Sequence, residues 1–196
     1  MNLLHWDHWP LLVICAAMLA AAGIDWWKFK VPNKLTFPLI ISGWVLGLLN
    51  EFALVPAGGQ GGIGAALVGT LLGCGLLIPM YAIGGMGAGD VKMTMGFGSW
   101  IGAFYGLPLA LEIIWWAFVI GTIAGGVIAL GMIAVRGKYR QNIDNVRAIL
   151  GDFSSSSSVG EISEKANKRR PRWHRLPYGV PLCIGFVGYL IYLYSL

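Results

Sequence analysis

Apolar segments long enough to cross a bilayer recur along this chain, and every Lys and Arg falls on alternate connections between them. Surrounded by lipid, an apolar run of about 20 residues can satisfy its own backbone only as a helix. Hydrophobic residues fill 57% of the 196 positions and charged residues 12%, where soluble domains carry about 25% charged residues. The chain is therefore expected to be all-α: a polytopic membrane protein with six transmembrane helices. Hydropathy places them at about 9–25, 35–50, 63–83, 91–107, 111–135 and 177–196, forming one membrane-embedded domain over 1–196.

Charge orients these spans. The basic residues are Lys28, Lys30 and Lys34, then Lys92, then ten between Arg136 and Arg175. With both termini outside, the inner connections are 26–34, 84–92 and 136–176, and these contain every Lys and Arg. The opposite orientation would put all of them outside, against the positive-inside rule. The formal net charge of +5 is thus read as a topology signal, and no nucleic-acid partner is expected. Trp6, Trp9, Trp26 and Trp27 bracket the first helix as interfacial anchors, which makes membrane lipid the immediate partner. Ala20-Ala21-Ala22-Gly23 resembles a signal-peptidase site, but no basic residue precedes that apolar run, so a retained first helix is expected. The second helix is short and would need local thinning of the bilayer or snorkelling to span it.

Residues 136–176 differ from the rest. The run Ser154 to Ser158 and its neighbours lack the apolar surface needed to order themselves. Before it, Ile143, Val146, Ile149 and Leu150 recur at helical spacing beside Arg140 and Arg147. That pattern suits an amphipathic helix on anionic headgroups, or equally a solvated connector. Pro108 and Glu112 are read as marking an outer turn. The GxxxG spacings Gly43/Gly47, Gly69/Gly73, Gly102/Gly106 and Gly121/Gly125 fit close helix packing without naming partners.

Two acids occupy equivalent depths under this topology. Asp25 ends the first helix, and Asp90 follows the glycine-rich turn Gly84-Gly85-Met86-Gly87-Ala88-Gly89 at the start of the fourth. An ionisable residue at the end of a span is costly to hold and is a functional candidate. The bland reading is a flexible loop whose Asp90 and Lys92 sit among headgroups. Two carboxylates sharing a partly dehydrated site cannot both ionise easily. Such a pair supplies a base to activate water and an acid to assist a leaving amine, the two roles that peptide hydrolysis needs. Asp7, Glu51 and Glu112 fall on the outer side, and Asp144, Asp152, Glu161 and Glu164 in the hydrophilic segment. His5 and His8 lie outside and His174 in the basic stretch, so no metal constellation and no serine–histidine pairing is expected. Cys15, Cys74 and Cys183 are isolated and read as small buried hydrophobes. No cofactor is implied.

Gly87-Ala88-Gly89-Asp90-Val91-Lys92 resembles the GxGD signature of intramembrane aspartyl proteases, in the form found in type IV prepilin peptidases. Asp25, followed after six residues by Pro32-Asn33 and then Leu35-Thr36-Phe37-Pro38, is similar to that family's first aspartate and its Pro-Asn turn. Leu176-Pro177-Tyr178-Gly179-Val180-Pro181 resembles the opening of its last helix. The resemblance implies that Asp25 and Asp90 are the catalytic pair. It implies an endopeptidase of the cytoplasmic (inner) membrane that cuts the leader from prepilin or pseudopilin precursors at the cytoplasmic face. Such leaders end in Gly before an apolar helix. Members with N-methyltransferase activity carry an N-terminal region with paired CxxC motifs. This chain lacks those cysteines, so it resembles the short, peptidase-only members of Flp/Tad (tight adherence) pilus systems, and methylation is not expected. Archaeal preflagellin peptidases share the same core.

Around the pair, Gly87 and Gly89 are expected to shape the turn presenting Asp90, and Pro32 and Asn33 to fix the loop after Asp25. Lys92 is read first as a headgroup-facing anchor, with a carboxylate partner or a substrate contact as alternatives. Pro177, Tyr178 and Gly179 line the cleft by analogy with the family, or simply start a helix. The rival readings of the whole chain are a small transporter or channel using Asp25 and Asp90 as a cation or proton site, and a non-enzymatic assembly subunit. A transport pathway wants polar groups near mid-membrane, and none of the six segments has a charged residue at its centre.

Overall fold

The computed structural model describes residues 8–54, 59–82, 85–136 and 177–195. It is all-α, with six helices among the described residues: α1 (Trp9–Lys28), α2 (Asn33–Glu51), α3 (Ile63–Ala82), α4 (Ala88–Tyr105), α5 (Leu107–Arg136) and α6 (Gly179–Ser195). Trp9–Lys28, Ile63–Ala82 and Leu107–Met132 are long and apolar enough to cross a membrane. His5, Asp7, His174 and the 143–150 stretch lie outside the described residues.

Several boundaries move from their expected places, each for a local reason. The first helix continues three residues past Asp25, so that acid stands inside a helix rather than at its end. The second runs 19 residues, about 28 Å at ~1.5 Å per residue. The fourth begins at Ala88, which brings Asp90 into its first turn. Pro108 lies in the first turn of α5, where its missing N–H costs no hydrogen bond. The turn before it is Gly106 alone, whose φ of 76° is a conformation open to glycine.

The fourth helix is the axis of the bundle. Most of its residues are buried, because α1, α2, α3, α5 and α6 all pack against it. That enclosure explains a composition too polar and glycine-rich to face lipid. Its backbone touches that of α3: a Cβ at Gly98 would collide with the Gly69 carbonyl oxygen, one at Gly69 with the Gly98 oxygen, and one at Gly102 with the Ala65 oxygen. On its other sides, Gly43 of α2 accommodates Ser99, and Phe97 stacks on Phe186 of α6 at 4.3 Å. Of the GxxxG pairs, Gly69/Gly73 meets α4, and Gly121/Gly125 meets Pro181 of α6. Gly102 works with Gly98 instead of Gly106, which ends the helix.

These contacts sort the helix ends. One end of the bundle gathers the last turn of α1 and the first turns of α2, α4 and α6. The five described basic residues, Lys28, Lys30, Lys34, Lys92 and Arg136, belong to this end. The opposite end holds Glu51, Glu112 and a polar knot in which Tyr105 Oη donates to Tyr194 Oη at 3.0 Å and Tyr194 Oη meets His8 Nδ1 at 3.3 Å.

Candidate active site

The first acid is placed by its own helix end. The backbone oxygen of Asp25 accepts the Phe29 N–H at 2.8 Å, and Phe29 leaves the helix through a left-handed turn. Two residues later Val31 is buried, and Pro32 starts α2 with an extended backbone, its carbonyl accepting the N–H groups of Leu35 and Thr36 at 3.0 and 3.3 Å. Pro32 therefore fixes the chain after Asp25, as its type suggests.

The second acid is placed by a cap. Asp90 is the third residue of α4; its Oδ2 accepts the Gly87 N–H at 3.0 Å, while its own N–H donates to the Gly87 carbonyl at 3.2 Å. A carboxylate in this position satisfies one of the free amides at a helix start. Gly87 keeps an ordinary φ of −86°, and a Cβ there would make only a normal 3.4 Å contact with Asp90 Oδ2. It contributes an amide rather than glycine freedom. Gly89 is different: a Cβ would lie 2.9 Å from the Val31 carbonyl oxygen and 3.1 Å from its Cβ. The first turn of α4 thus presses directly on the loop that follows Asp25.

The third element is the turn into α6. The carbonyls of Pro177 and Tyr178 accept the N–H groups of Val180 and Leu182, both at 3.2 Å, and the Gly179 N–H donates to Asp25 Oδ2 at 2.8 Å. A Cβ at Gly179 would stand 2.9 Å from both Cβ and Oδ2 of Asp25. Burial pushes the Tyr178 phenol above its ordinary value, and the Asp90 charge adds to the rise.

The two acids are thereby brought to one buried place. Asp25 is 4% exposed and Asp90 5%, and Asp90 feels the Asp25 charge directly. Each has one oxygen held by a backbone amide. Asp90 Oδ1 is buried and accepts no hydrogen bond from the described residues. A pair so arranged can hold a proton on one carboxyl and leave the other to take one, which is the requirement of general acid–base hydrolysis.

Lys92 reaches from α4 to the start of α2. Its Nζ donates to Asn33 Oδ1 at 2.9 Å and sits 4.5 Å from the centre of the Phe37 ring. Two residues of this cluster were given no role at the site by sequence. Val31 carries a signal, being a lone aliphatic between Lys30 and Pro32 in a basic loop; Phe37 carries a weaker one, one turn after Asn33 on the same helix face.

Comparison with known proteins places the sequence in a family. The sequence pattern of the type IV leader peptidase family matches residues 12–134. Among similar proteins, the prepilin leader peptidase/N-methyltransferase of Aeromonas salmonicida (strain A449) is 27% identical over 142 residues, covering 69% of this chain and 43% of its own length. That of Burkholderia pseudomallei (strain 1026b) is 33% identical over 130 residues, covering 65% of this chain and 38% of its own. The chain thus matches about two fifths of the length of these curated relatives. No solved structure matches it significantly. A transport role gains no support from any of these relatives. Since the family pattern extends over more than half of the chain and contains both aspartate motifs, the protein belongs to the type IV leader peptidase family.

Proposed function

We propose that this chain is an aspartyl endopeptidase that removes the leader peptide from prepilin-like precursors, at the cytoplasmic face of an inner membrane. The observation that supports the reading is that Asp25 and Asp90 are both buried at one end of the bundle, each steadied by a backbone amide, with Asp90 in the field of Asp25. Six spans with both termini outside would put this site at the cytoplasmic edge, because the described basic residues gather at the same end. The chain would act as one membrane-embedded domain.

In this reading, a water held between the carboxyls gives a proton to the ionised one as its oxygen attacks the scissile carbonyl carbon. The protonated carboxyl donates to the carbonyl oxygen, forming a gem-diol. The carboxyl that took the water's proton then protonates the amide nitrogen, and the C–N bond breaks as a gem-diol hydroxyl gives its proton to the other carboxylate, leaving a carboxylic acid and an amine. Which aspartate begins as base is a property of the pair. The precursor's apolar helix would lie in the bilayer beside the bundle, with the peptide bond after its leader at the membrane boundary.

The test is co-expression with a prepilin of established processing, read by gel shift. Wild type removes the leader, whereas Asp25→Asn and Asp90→Asn accumulate in the membrane and leave the precursor whole. Equal failure of all three against a substrate that another peptidase cuts would refute the assignment.

A further inference from the structure

We propose that Lys92 and Asn33 form a latch that holds the loop after Asp25 against the helix bearing Asp90, and so sets the separation of the two carboxyls. The inference builds on the proposed peptidase reading and makes these two side chains positioning residues.

Three fixed points mark the path from one acid to the other. Phe29 N–H closes on Asp25 O at 2.8 Å, Val31 abuts Gly89, and Asn33 Oδ1 takes the Lys92 ammonium at 2.9 Å. An ammonium only donates, so it orients the Asn33 amide with its oxygen toward Lys92, in a contact at the exposed edge of the bundle. The Phe37 ring one turn along α2 lies 4.5 Å from Nζ and restrains the lysine from a second side through a cation–π contact. Between them, Asn33 and Phe37 hold the ammonium on protein, where a lipid-facing lysine would extend to the headgroups.

The latch acts through position rather than charge. Residues two apart on an α-helix point about 200° away from each other, so Lys92 leaves α4 on the side opposite Asp90. It turns toward α2, while Asp90 lies within reach of Asp25 and Tyr178. Losing the lysine would therefore free the Val31 loop and let Asp25 drift relative to Asp90, without removing a counter-ion from either acid. A displacement of about 1 Å in such a pair can cost about 10²-fold in rate.

The test uses the full chain in detergent or nanodiscs, as wild type, Asn33→Leu, Lys92→Met, the double variant and Asn33→Asp, which restores an acceptor. Kinetics on a prepilin substrate are expected to show each disruptive single change lowering kcat about tenfold or more with KM within about twofold. The double variant should be no slower than the worse single, and Asn33→Asp should recover most of the loss of Asn33→Leu. In parallel, hydrogen exchange over residues 29–33 should quicken in Asn33→Leu and Lys92→Met. Losses that multiply in the double variant, a loss confined to KM, or exchange unchanged from wild type would each overturn the latch. If wild type itself cuts no prepilin, the peptidase reading fails while the exchange measurement still decides whether the latch exists.

Discussion

The backbone N–H of Gly179 donates to Asp25 Oδ2 at 2.8 Å, joining two residues 154 positions apart. The start of the last helix is thus part of the candidate site, and its glycine is a steric requirement: any Cβ there meets the Asp25 side chain at 2.9 Å.

Gly179→Ala is accordingly expected to shift the Asp25 carboxyl and lower kcat/KM for leader cleavage by about tenfold or more, equivalent to about 1.4 kcal/mol of barrier. Protein levels should stay near wild type, since one methyl at a helix start leaves the bundle contacts in place. Full activity in the alanine variant would show that Asp25 is not held through this contact.

The two glycines of the GxGD motif should differ in tolerance. A Cβ at Gly89 would press on the Val31 carbonyl at 2.9 Å, whereas one at Gly87 makes an ordinary 3.4 Å contact. Gly89→Ala should therefore lose more cleavage activity than Gly87→Ala, which keeps its amide for Asp90. A reversed order in a side-by-side assay would contradict the packing.

The pH dependence of kcat/KM should be bell-shaped, its limbs belonging to the carboxyl pair jointly. Tyr178 should not contribute a limb. Its phenol is lifted above its ordinary value, first by burial and then by the Asp90 charge, so it stays protonated and neutral below about pH 10. Tyr178→Phe is expected to leave both limbs where they are, whatever it does to the rate. A displaced limb in that variant would assign the titration to the phenol.

Stability should depend most on the α3–α4 seam. Gly98→Leu forces a side chain into the Gly69 backbone and should cost about 1–3 kcal/mol, seen as a lower melting midpoint in detergent. Gly75→Leu, on α3 and with open space at its Cβ, should melt near wild type.

Much of this was legible from local pattern. The apolar periods located the six helices of the described residues, and the acids stood out beside their glycine and proline neighbours. The errors were at ends. Hydropathy fades wherever a helix reaches a polar boundary, so Asp25 and Asp90 looked like flanking residues when caps at Phe29 and Gly87 place both inside helices. For Lys92, local pattern offers a headgroup anchor and carries no sign of its partner on another helix.

By itself, the sequence determined that this chain is helical and apolar, with its basic residues grouped on alternate connections and with two acids in motifs shared with a peptidase family. Hydropathy, helix period and charge act within a few turns, and a single chain displays them directly. Only the tertiary structure decided that Gly179 meets Asp25, that Val31 meets Gly89 and that Lys92 meets Asn33. Those pairings depend on how closely helix backbones approach and in what register, and that is settled by many small steric contacts summed along each seam, such as Gly98 against Gly69.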